Sequence, residues 1–323
     1  MRLGVGKGQG PSVSPCLGSS AIRIIEVMPT STANAVPVYP EFAPVSLEMR
    51  AALYPALNLI ADGISEFTFS NLFLFRRTYG YRVSRVPGKT FVIEGSKAGK
   101  SFFYAPCALP ERQVLDELMA GHDYLKNLSE SQADAHRVAL EQWGYSVLED
   151  RDNFDYVYRR TDLAELSGRT YHKKRNLVNA FINSYDYEQK PLKKDNVRDA
   201  LDVLERWRES KGSEGDYAAS REALELFDVL GMRGCLYYVD GAPAGWCLGE
   251  PLARGRMFAV HFEKGIESYK GIYQFINQAF AQVLPSYFKS INREQDLGDE
   301  GLRQAKMTYR PSGFVNKYRV VKA

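Results

Sequence analysis

The sequence predicts an α+β protein built from two successive copies of one fold. The chain has 323 residues and is 45% hydrophobic, which is enough for two domains with separate cores. The order of predicted elements in the first half recurs in the second, although we can align no sequence repeat. In the second half an apolar period of 2 changes to 3.6, which is typical of a strand followed by a helix. We therefore expect a leader at 1–44, one domain at 45–160, and a second domain, with the site, at 161–323.

The first 44 residues are predicted to be a flexible leader. Residues 1–20 are rich in Gly, Ser and Pro and lack the apolar segment of a secretory signal. Pro, Thr and Ala dominate residues 29–46, and Met28 is an alternative translation start to Met1. The sequence contains no run of 18 apolar residues, so no transmembrane segment is predicted.

Cysteine and histidine usage predicts neither a metal site nor a disulfide framework. The four cysteines form no CxxC pair, and the four histidines form no HExxH motif. Scattered cysteines fit a reducing compartment, so we expect a cytoplasmic protein. The net charge of +3 gives no global field for nucleic acid, and any such function must depend on local patches.

The first half is predicted to contain a helix, several strands, two helices and two closing strands. The first helix is expected from Ser46 to about Ser65, although Pro55 interrupts it. The aromatic runs FTFSNLFLFRR and YGYRVSRV predict one strand or two, and KTFVIEG and KSFFYAP predict a hairpin. Helices follow near 110–120 and 130–143, and YSVLED and FDYVYRR are predicted strands.

The second half is predicted to repeat this order. Helices are expected at about 170–185, at 195–209 and around 223–230, followed by a hairpin that turns at Asp240–Gly241. The strand–helix unit described next follows this hairpin. YFKSINRE then predicts a strand, and a polar loop leads through GLRQAKMTYRP to a final strand, FVNKYRVVK.

The strand–helix unit in this half is the first candidate site. Alternation from Met257 to Glu263 puts Phe258, Val260 and Phe262 on one face, and Met257, Ala259, His261 and Glu263 on the other. The following helix begins at Lys270 and Gly271, where free amides and the positive end of the helix dipole favour an anion. The alternative is an ordinary strand–helix unit with a solvated Glu263.

A basic helix start is the second candidate. Arg169 and residues 172–175 (His172, Lys173, Lys174, Arg175) are cationic or titratable and include no acid. Helical spacing turns Lys174 and Arg175 inward and leaves Lys173 and Asn176 outside. Inward cations need an anionic ligand or an acidic partner, for which Glu263 and Asp296 are the alternatives.

Two polar segments near the C-terminus complete the candidates. Asn292, Arg293 and Asp296 lie where a strand ends before a glycine, a usual place for a binding loop, with internal charge pairs as the alternative. Arg303 and Lys306 are three residues apart and share a helix face, which on spacing alone indicates a solvated surface.

Three of these segments resemble a known family. LSGRTYHKKRNLVNAF, VHFEKGIESYKGIYQFIN and INREQDLGDEGLRQAKMTYRP resemble the soluble bacterial proteins named for the C-terminal domain of phosphatidylglycerol lysyltransferase, and the likeness covers about 47–323. GLRxxKxxYxP is also similar to the ending of the membrane-bound lysyltransferases. The resemblance implies two tandem GNAT-like (N-acetyltransferase-type) domains, related to Fem-type ligases that use aminoacyl-tRNA. It also implies that acceptor and aminoacyl ester meet in the second domain.

The sequence departs from parts of the wider pattern. Acetyl-CoA-binding members carry Gln/Arg-x-x-Gly-x-Gly/Ala where the strand meets the helix, whereas this chain has Ser268-Tyr-Lys-Gly-Ile-Tyr273. This difference disfavours acetyl-CoA and favours an aminoacyl-tRNA donor or another ligand. The lysyltransferases also carry a multi-span membrane half, and no such span is predicted here. We therefore expect any contact with anionic lipid to be peripheral, unless another acceptor is used.

The resulting hypothesis is an aminoacyl-tRNA-dependent aminoacyltransferase acting on a lipid headgroup or another amine or hydroxyl. Glu263 is predicted to act as the base or to orient the acceptor amine, beside His261, and Tyr273 to donate a proton. The predicted substrate-binding residues are His172, Lys173, Lys174, Arg175, Asn176, Lys264, Lys270, Gly271, Asn292, Arg293, Asp296, Arg303 and Lys306. The alternatives are a CoA-dependent N-acyltransferase and a non-catalytic binding protein. The sequence names neither the donor amino acid nor the acceptor, and it leaves the oligomeric state open.

Overall fold

A computed structural model describes residues 36–87, 90–212 and 214–323. In these ranges the chain forms two seven-stranded mixed sheets flanked by helices. The first half contains β1 (Ala43–Pro44), α1 (Arg50–Leu57), α2 (Phe69–Leu74), α3 (Arg76–Tyr79), β2 (Arg82–Val86), β3 (Thr90–Lys97), β4 (Lys100–Tyr104), α4 (Arg112–Gly121), β5 (Tyr124–Ser129), α5 (Glu130–Gln142), β6 (Tyr145–Glu149) and β7 (Asp155–Arg159). The second half contains α6 (Arg160–Glu165), α7 (His172–Ser184), β8 (Tyr187–Pro191), α8 (Val197–Lys211), α9 (Tyr217–Leu230), β9 (Arg233–Val239), β10 (Ala242–Leu252), β11 (Met257–Gly265), α10 (Ile272–Val283), β12 (Ser290–Asn292), α11 (Glu300–Met307), β13 (Gly313–Val315) and β14 (Lys317–Lys322). None of the described helices is both long and apolar enough to cross a membrane.

The two sheets exchange one strand each. The first sheet has the order β1-β2-β3-β4-β5-β14-β6, and the second has β13-β7-β12-β11-β10-β9-β8. Strand β7 of the first half therefore lies in the second sheet, and β14 returns to the first. The sheets thus cross the boundary predicted at residue 160, and the division into independent domains stays a prediction.

The apolar residues form three main cores around these sheets. One core lies between the sheets and includes Leu53, Phe73, Trp246 and Phe262. A second packs α6, α7 and α10 on the second sheet, and a third packs α4 and α5 on the first. The candidate cavity described below is lined by residues of both halves.

The part of the predicted leader that the structure describes packs on the first sheet. Val36 is buried, Val38 forms a bridge to Arg85, and Ala43 pairs with Val83. The prediction of a flexible leader is therefore wrong for residues 36–44. Residues 1–35, with Cys16 and the alternative start Met28, lie outside the described residues.

The run FTFSNLFLFRR, predicted as a strand, instead forms α2 and α3. All six residues of α2 are buried, so the run shows neither the apolar period of 3.6 that indicates a helix nor the period of 2 that indicates a strand. The hydroxyl of Thr68 accepts a hydrogen bond from the amide of Asn71 and starts the helix as an N-cap. The first predicted helix is also shorter than expected, and strands β5 and β8 were not predicted.

A β-bulge in β11 changes the predicted alternation. Leu248 pairs with Phe262 and Gly249 with Val260, so His261 is the extra residue. Phe258 packs against Phe280 of α10, whereas Phe262 packs against Trp246 in the core between the sheets. The expectation that Phe258 and Phe262 share a face is therefore wrong.

Candidate functional site

The candidate site is a cavity of about 480 Å³ beside β11. Parallel pairing between β11 and β12 runs from Met257–Ser290 to Ala259–Asn292, and the cavity lies beyond the last pair. The second half lines it with residues of β11, of the loop after β12, of α11 and of the α8–α9 region, and the first half lines it mainly with aromatic residues. The lining residues are Glu66, Asn71, Phe75, Tyr79, Tyr81, Tyr104, Lys126, Trp207, Asp216, Val260, His261, Glu263, Lys264, Arg293, Glu294, Gln295, Leu297, Leu302 and Lys306.

An ion pair between Glu263 and Arg293 forms part of the cavity wall. Arg293 Nη2 lies 3.1 Å from both carboxylate oxygens of Glu263. The side chain of Glu263 is only 13% exposed and that of Arg293 only 17%. A carboxylate has further acceptor positions beyond this pair, so Glu263 can also accept a hydrogen bond from a ligand amine. The structure therefore places two predicted site residues together at the cavity.

His261 is held between two glutamates. Its Nδ1 lies 2.7 Å from Glu294 Oε1 and its Nε2 lies 3.1 Å from Glu250 Oε1. Burial opposes the imidazolium, but the hydrogen bonds to Glu250 and Glu294 outweigh it and raise the pKa of His261 to about 10. Both ring nitrogens then donate at neutral pH, so this side chain has no nitrogen free to accept a proton.

The two predicted cavity lysines are already hydrogen-bonded within the protein. Lys264 Nζ lies 2.8 Å from both carboxylate oxygens of Asp216. Lys306 Nζ donates to three successive carbonyls, those of residues 293–295 (Arg293, Glu294 and Gln295), at 2.6, 3.0 and 2.6 Å. Burial lowers the pKa of Lys306 to about 8. Lys306 therefore holds the loop that carries Arg293 and Glu294, and its donors are occupied.

Asn292, Asp296 and Arg303 form internal contacts. Arg303 Nε and Nη2 each lie 2.9 Å from an oxygen of Asp296, and Tyr156 donates to the same carboxylate at 2.6 Å. The Nδ2 of Asn292, a buried residue, donates to the carbonyl of Gly63 at 2.9 Å. For Asp296 the structure therefore shows the internal charge pairs that were the predicted alternative. Arg303, whose spacing alone indicated a solvated face, instead pairs with Asp296 and helps to shape the loop.

The cationic start of α7 lies at a different surface. His172, Lys173 and Lys174 line a groove of about 790 Å³, together with Arg169 and Arg310. The ring of Tyr309 lies between this groove and the cavity, because Lys174 Nζ is 4.2 Å and Arg293 Cζ is 5.3 Å from its centroid. Neither Lys174 nor any other of these cations pairs with Glu263 or Asp296 within the described residues.

The other two predicted residues of α7 contact the protein itself. Arg175 Nη1 donates to the carbonyls of Leu166 and Gly168, at 2.5 and 3.1 Å. Asn176 is exposed, with its Nδ2 3.4 Å from His172 Nε2. Arg175 therefore satisfies backbone carbonyls after α6, and the structure does not bring it to the cavity.

The start of α10 is tightly packed. Lys270 is exposed, and its amide donates to the hydroxyl of Tyr185 at 3.3 Å. Gly271 has φ of 89°, and a Cβ there would lie 2.4 Å from the carbonyl oxygen of Leu177. The hydroxyl of Tyr273 donates to the carbonyl of Gly265 at 3.2 Å, and burial raises its pKa to about 12. Lys270, Gly271 and Tyr273 are not among the residues that line the cavity.

A buried charge cluster behind the cavity was missed by the sequence analysis. Lys317 Nζ donates to the carboxylates of Glu66 and Asp155, and all three side chains are at most 5% exposed. Burial would raise the pKa of Glu66, but the charges of Lys317 and Lys126 outweigh it and lower that pKa. A lysine within FVNKYRVVK, the predicted final strand, is the sequence signal that could have pointed to this cluster, because a charged residue that becomes buried needs a partner.

Comparison with known proteins assigns the chain to a family. The family model described as "Phosphatidylglycerol lysyltransferase, C-terminal" matches residues 57–321. The chain belongs to this family. The resemblance predicted from its three motifs is therefore confirmed, and the matched range contains every lining residue of the cavity.

Several solved structures are similar to this chain and have the same fold. A conserved protein of unknown function from Bacteroides thetaiotaomicron is 29% identical, with a TM-score of 0.76 over 87% of this chain and 99% of that one. The C-terminal domain of a putative lysylphosphatidylglycerol synthetase from Agrobacterium fabrum is 12% identical, with a TM-score of 0.57 over 84% and 92%. FemX is 9% identical, with a TM-score of 0.54 over 88% and 97%. The predicted α+β fold of two tandem GNAT-like units is confirmed.

Proposed function

We propose that this chain is an aminoacyltransferase that moves an aminoacyl group from a tRNA ester to an amine or hydroxyl acceptor, such as a lipid headgroup. One observation carries the proposal. In a member of the lysyltransferase C-terminal family, the Glu263–Arg293 pair stands at the wall of a cavity that opens where β11 and β12 cease to pair.

The transfer forms a bond between the acceptor atom and the ester carbonyl carbon and breaks the bond from that carbon to the ribose oxygen. The acceptor loses a proton, and the leaving oxygen gains one. Glu263 is suited to orient an acceptor amine and receive its proton, because it is an acceptor-only carboxylate that Arg293 fixes in place. The protonated His261 holds Glu294 beside the same cavity, where this second carboxylate can bind the ammonium of the aminoacyl group.

A tRNA donor needs a surface for its phosphates. The groove at the start of α7 is lined by Arg169, His172, Lys173, Lys174 and Arg310, and none of its lining residues is acidic. Tyr309 separates it from Arg293, so a donor bound there lies next to the cavity. Peripheral contact with anionic lipid and a cytoplasmic location complete the proposal.

The CoA-dependent alternative has less support from the start of α10. A pyrophosphate needs free amides there, whereas the amide of Lys270 donates to Tyr185 and Gly271 is packed against Leu177. A rise in melting temperature of several degrees with acetyl-CoA would favour this alternative. Retention of tRNA that weakens steeply with salt, without turnover, would favour a binding protein.

The test uses the purified chain, a pool of tRNA charged with labelled amino acids, and two acceptors: phosphatidylglycerol vesicles and a soluble amine. We expect label in one acceptor, and a loss of roughly 100-fold or more in rate for Glu263→Gln. Glu267→Gln, an exposed acid four residues away, is the matched control and should keep the wild-type rate. An unchanged rate in Glu263→Gln removes this residue from the chemistry, and no transfer to either acceptor overturns the proposed activity.

A further inference from the structure

Lys126 differs from every other cation that lines the cavity. Lys264, Arg293, Lys306 and His261 all donate to protein oxygens. Lys126 lines the same cavity and is only 4% exposed, yet it has no hydrogen bond or ion pair to any residue in the described part of the chain. Its ammonium therefore has three donors that only a ligand or water in the cavity can satisfy.

A β-bulge places Lys126 at the cavity. In β5, Leu128 pairs with Tyr318 and Leu125 with Val320, so two residues of β5 lie opposite Arg319. Asn127 adopts φ of 57° at this point. Leu125 and Leu128 consequently both pack in the core under α4 and α5, and Lys126 lines the cavity. A bulge that re-aims one side chain is a common device next to active sites.

The surroundings of Lys126 suit a cation that awaits an anion. Its Nζ lies 5.1, 5.8 and 5.9 Å from the ring centroids of Phe102, Tyr79 and Tyr104. These rings attract the ammonium but do not satisfy its donors. The nearby carboxylate of Glu66 already accepts from Lys317 and from Gln295, the latter at 3.3 Å.

Tyrosine hydroxyls next to Lys126 provide a second donor. Tyr81 and Tyr104 both line the cavity, and their hydroxyls lie 3.0 Å apart. Only one of the two protons can lie between these oxygens, so the other hydroxyl remains able to donate. Burial raises the pKa of both tyrosines, which keeps both hydroxyls protonated as donors.

We propose that Lys126 forms an anion subsite on the first-sheet wall of the cavity, where it binds a phosphate or carboxylate group of a substrate. The subsite faces the cavity from the first half of the chain, whereas Glu263 and Arg293 face it from the second. This inference deepens the proposed aminoacyl transfer and depends on it only for the identity of the substrate. On that proposal, the co-substrate held by the first half carries an anionic group.

The experiment measures anion binding to the full chain at constant ionic strength and needs no turnover. Inorganic phosphate and acetate are titrated separately, with melting temperature and calorimetry as readouts, against wild type, Lys126→Met and Lys126→Arg. The matched control is Lys100→Met, an exposed lysine at the β3–β4 turn. We expect at least one anion to bind the wild type, and its affinity to fall roughly tenfold or more in Lys126→Met. Lys126→Arg should retain most of the affinity, and Lys100→Met should equal wild type.

Each outcome decides the proposal. The anion that binds more tightly shows whether the subsite takes phosphate or carboxylate. An affinity that is unchanged in Lys126→Met, or no binding of either anion to the wild type, overturns the subsite. The melting temperature of Lys126→Met without ligand distinguishes anion binding from a purely structural role. If Lys126 were only a structural counter-ion, its removal would lower this melting temperature. Since binding is measured directly, the absence of aminoacyl transfer would not affect this result.

Discussion

Lys317 Nζ lies 2.7 Å from Asp155 Oδ1, and each residue stands on the strand that has crossed to the other sheet. Asp155 opens β7, which joins the second sheet, and Lys317 opens β14, which joins the first. Burial opposes the charge on Lys317, but Asp155 and Glu66 outweigh it and raise the pKa of Lys317. This buried ion pair therefore ties the two sheets together behind the cavity.

Lys317→Met should destabilise the protein strongly. Breaking a buried pair leaves uncompensated charge, and we expect a loss of about 3–5 kcal/mol in the free energy of unfolding. Urea unfolding measures it. Lys322→Met, an exposed lysine at the end of the same strand, is the control and should stay within about 0.5 kcal/mol of wild type. A loss below about 1 kcal/mol in Lys317→Met would contradict the role of the cluster.

His261 should remain protonated through neutral pH. Its pKa is raised from 6.5 to about 10 in the folded chain, so it contributes stability that is fully present below pH 6.5. That contribution is lost as pH rises through 10. The imidazole signals in NMR should therefore show no titration between pH 5 and 8. The stability difference between wild type and His261→Gln should shrink from pH 6.5 to 10.

The control for this pH dependence is His136→Gln, because His136 is exposed on α5. This variant should match wild type in unfolding at every pH. A midpoint near pH 6.5 for the His261 imidazole would show that Glu250 and Glu294 do not hold its proton.

The fold could be predicted where the signal is local. Periodicity identified the long helices, including α7, α8 and α10. The pair Asp240–Gly241 correctly marked the turn of the hairpin between β9 and β10. The strand exchange could not be predicted, because the apolar pattern of β14 is the same whichever sheet it joins. The aromatic run of α2 was mispredicted because it is buried on all sides and therefore carries no period.

The candidate site could be predicted only in part, because bulges decide which side chains reach it. The strand–helix unit at β11 pointed to Glu263, and the polar segment after β12 pointed to Arg293; the structure brings the two together. Lys126 lies beside a bulge in a strand that was not predicted, so nothing in its local sequence revealed its direction. Lys174 was correctly predicted to turn inward, but its neighbour is the ring of Tyr309 rather than an acid. Residue spacing predicts which face of a helix a side chain lies on, whereas the residue that it contacts there depends on tertiary packing.

Lys126→Met should increase stability at neutral pH. Burial lowers the pKa of Lys126 from 10.5 to about 8 despite the opposite charges of Glu66 and Asp150, with Lys317 and Lys97 adding repulsion. The folded chain then binds fewer protons than the unfolded chain between pH 8 and 10.5, so this group adds stability as pH rises there. Below pH 8 it opposes folding, by an amount on the order of 1–3 kcal/mol.

Urea unfolding at pH 7 and pH 10 checks this prediction. The variant should be more stable than wild type at pH 7, and the gap should close towards pH 10. Comparison with the variant is needed because Lys306 has a similarly lowered pKa and titrates in the same window. A variant less stable than wild type at pH 7 would show that Lys126 serves as a counter-ion to Glu66.

Gly271→Ala tests whether the glycine before α10 is required for packing or only for its positive φ. A Cβ at Gly271 would lie 2.4 Å from the carbonyl oxygen of Leu177 in α7, so α7 and α10 would have to separate. Gly255→Ala is the matched control, because Gly255 also has positive φ, at 75°, but no described atom lies within 4 Å of its Cβ. Gly255→Ala should lower the free energy of unfolding by about 1 kcal/mol, from backbone strain alone. Gly271→Ala should lower it by at least about 2 kcal/mol more than this control does. Equal losses in urea unfolding would remove the packing explanation and leave the positive φ of 89° as the reason for a glycine at this helix start.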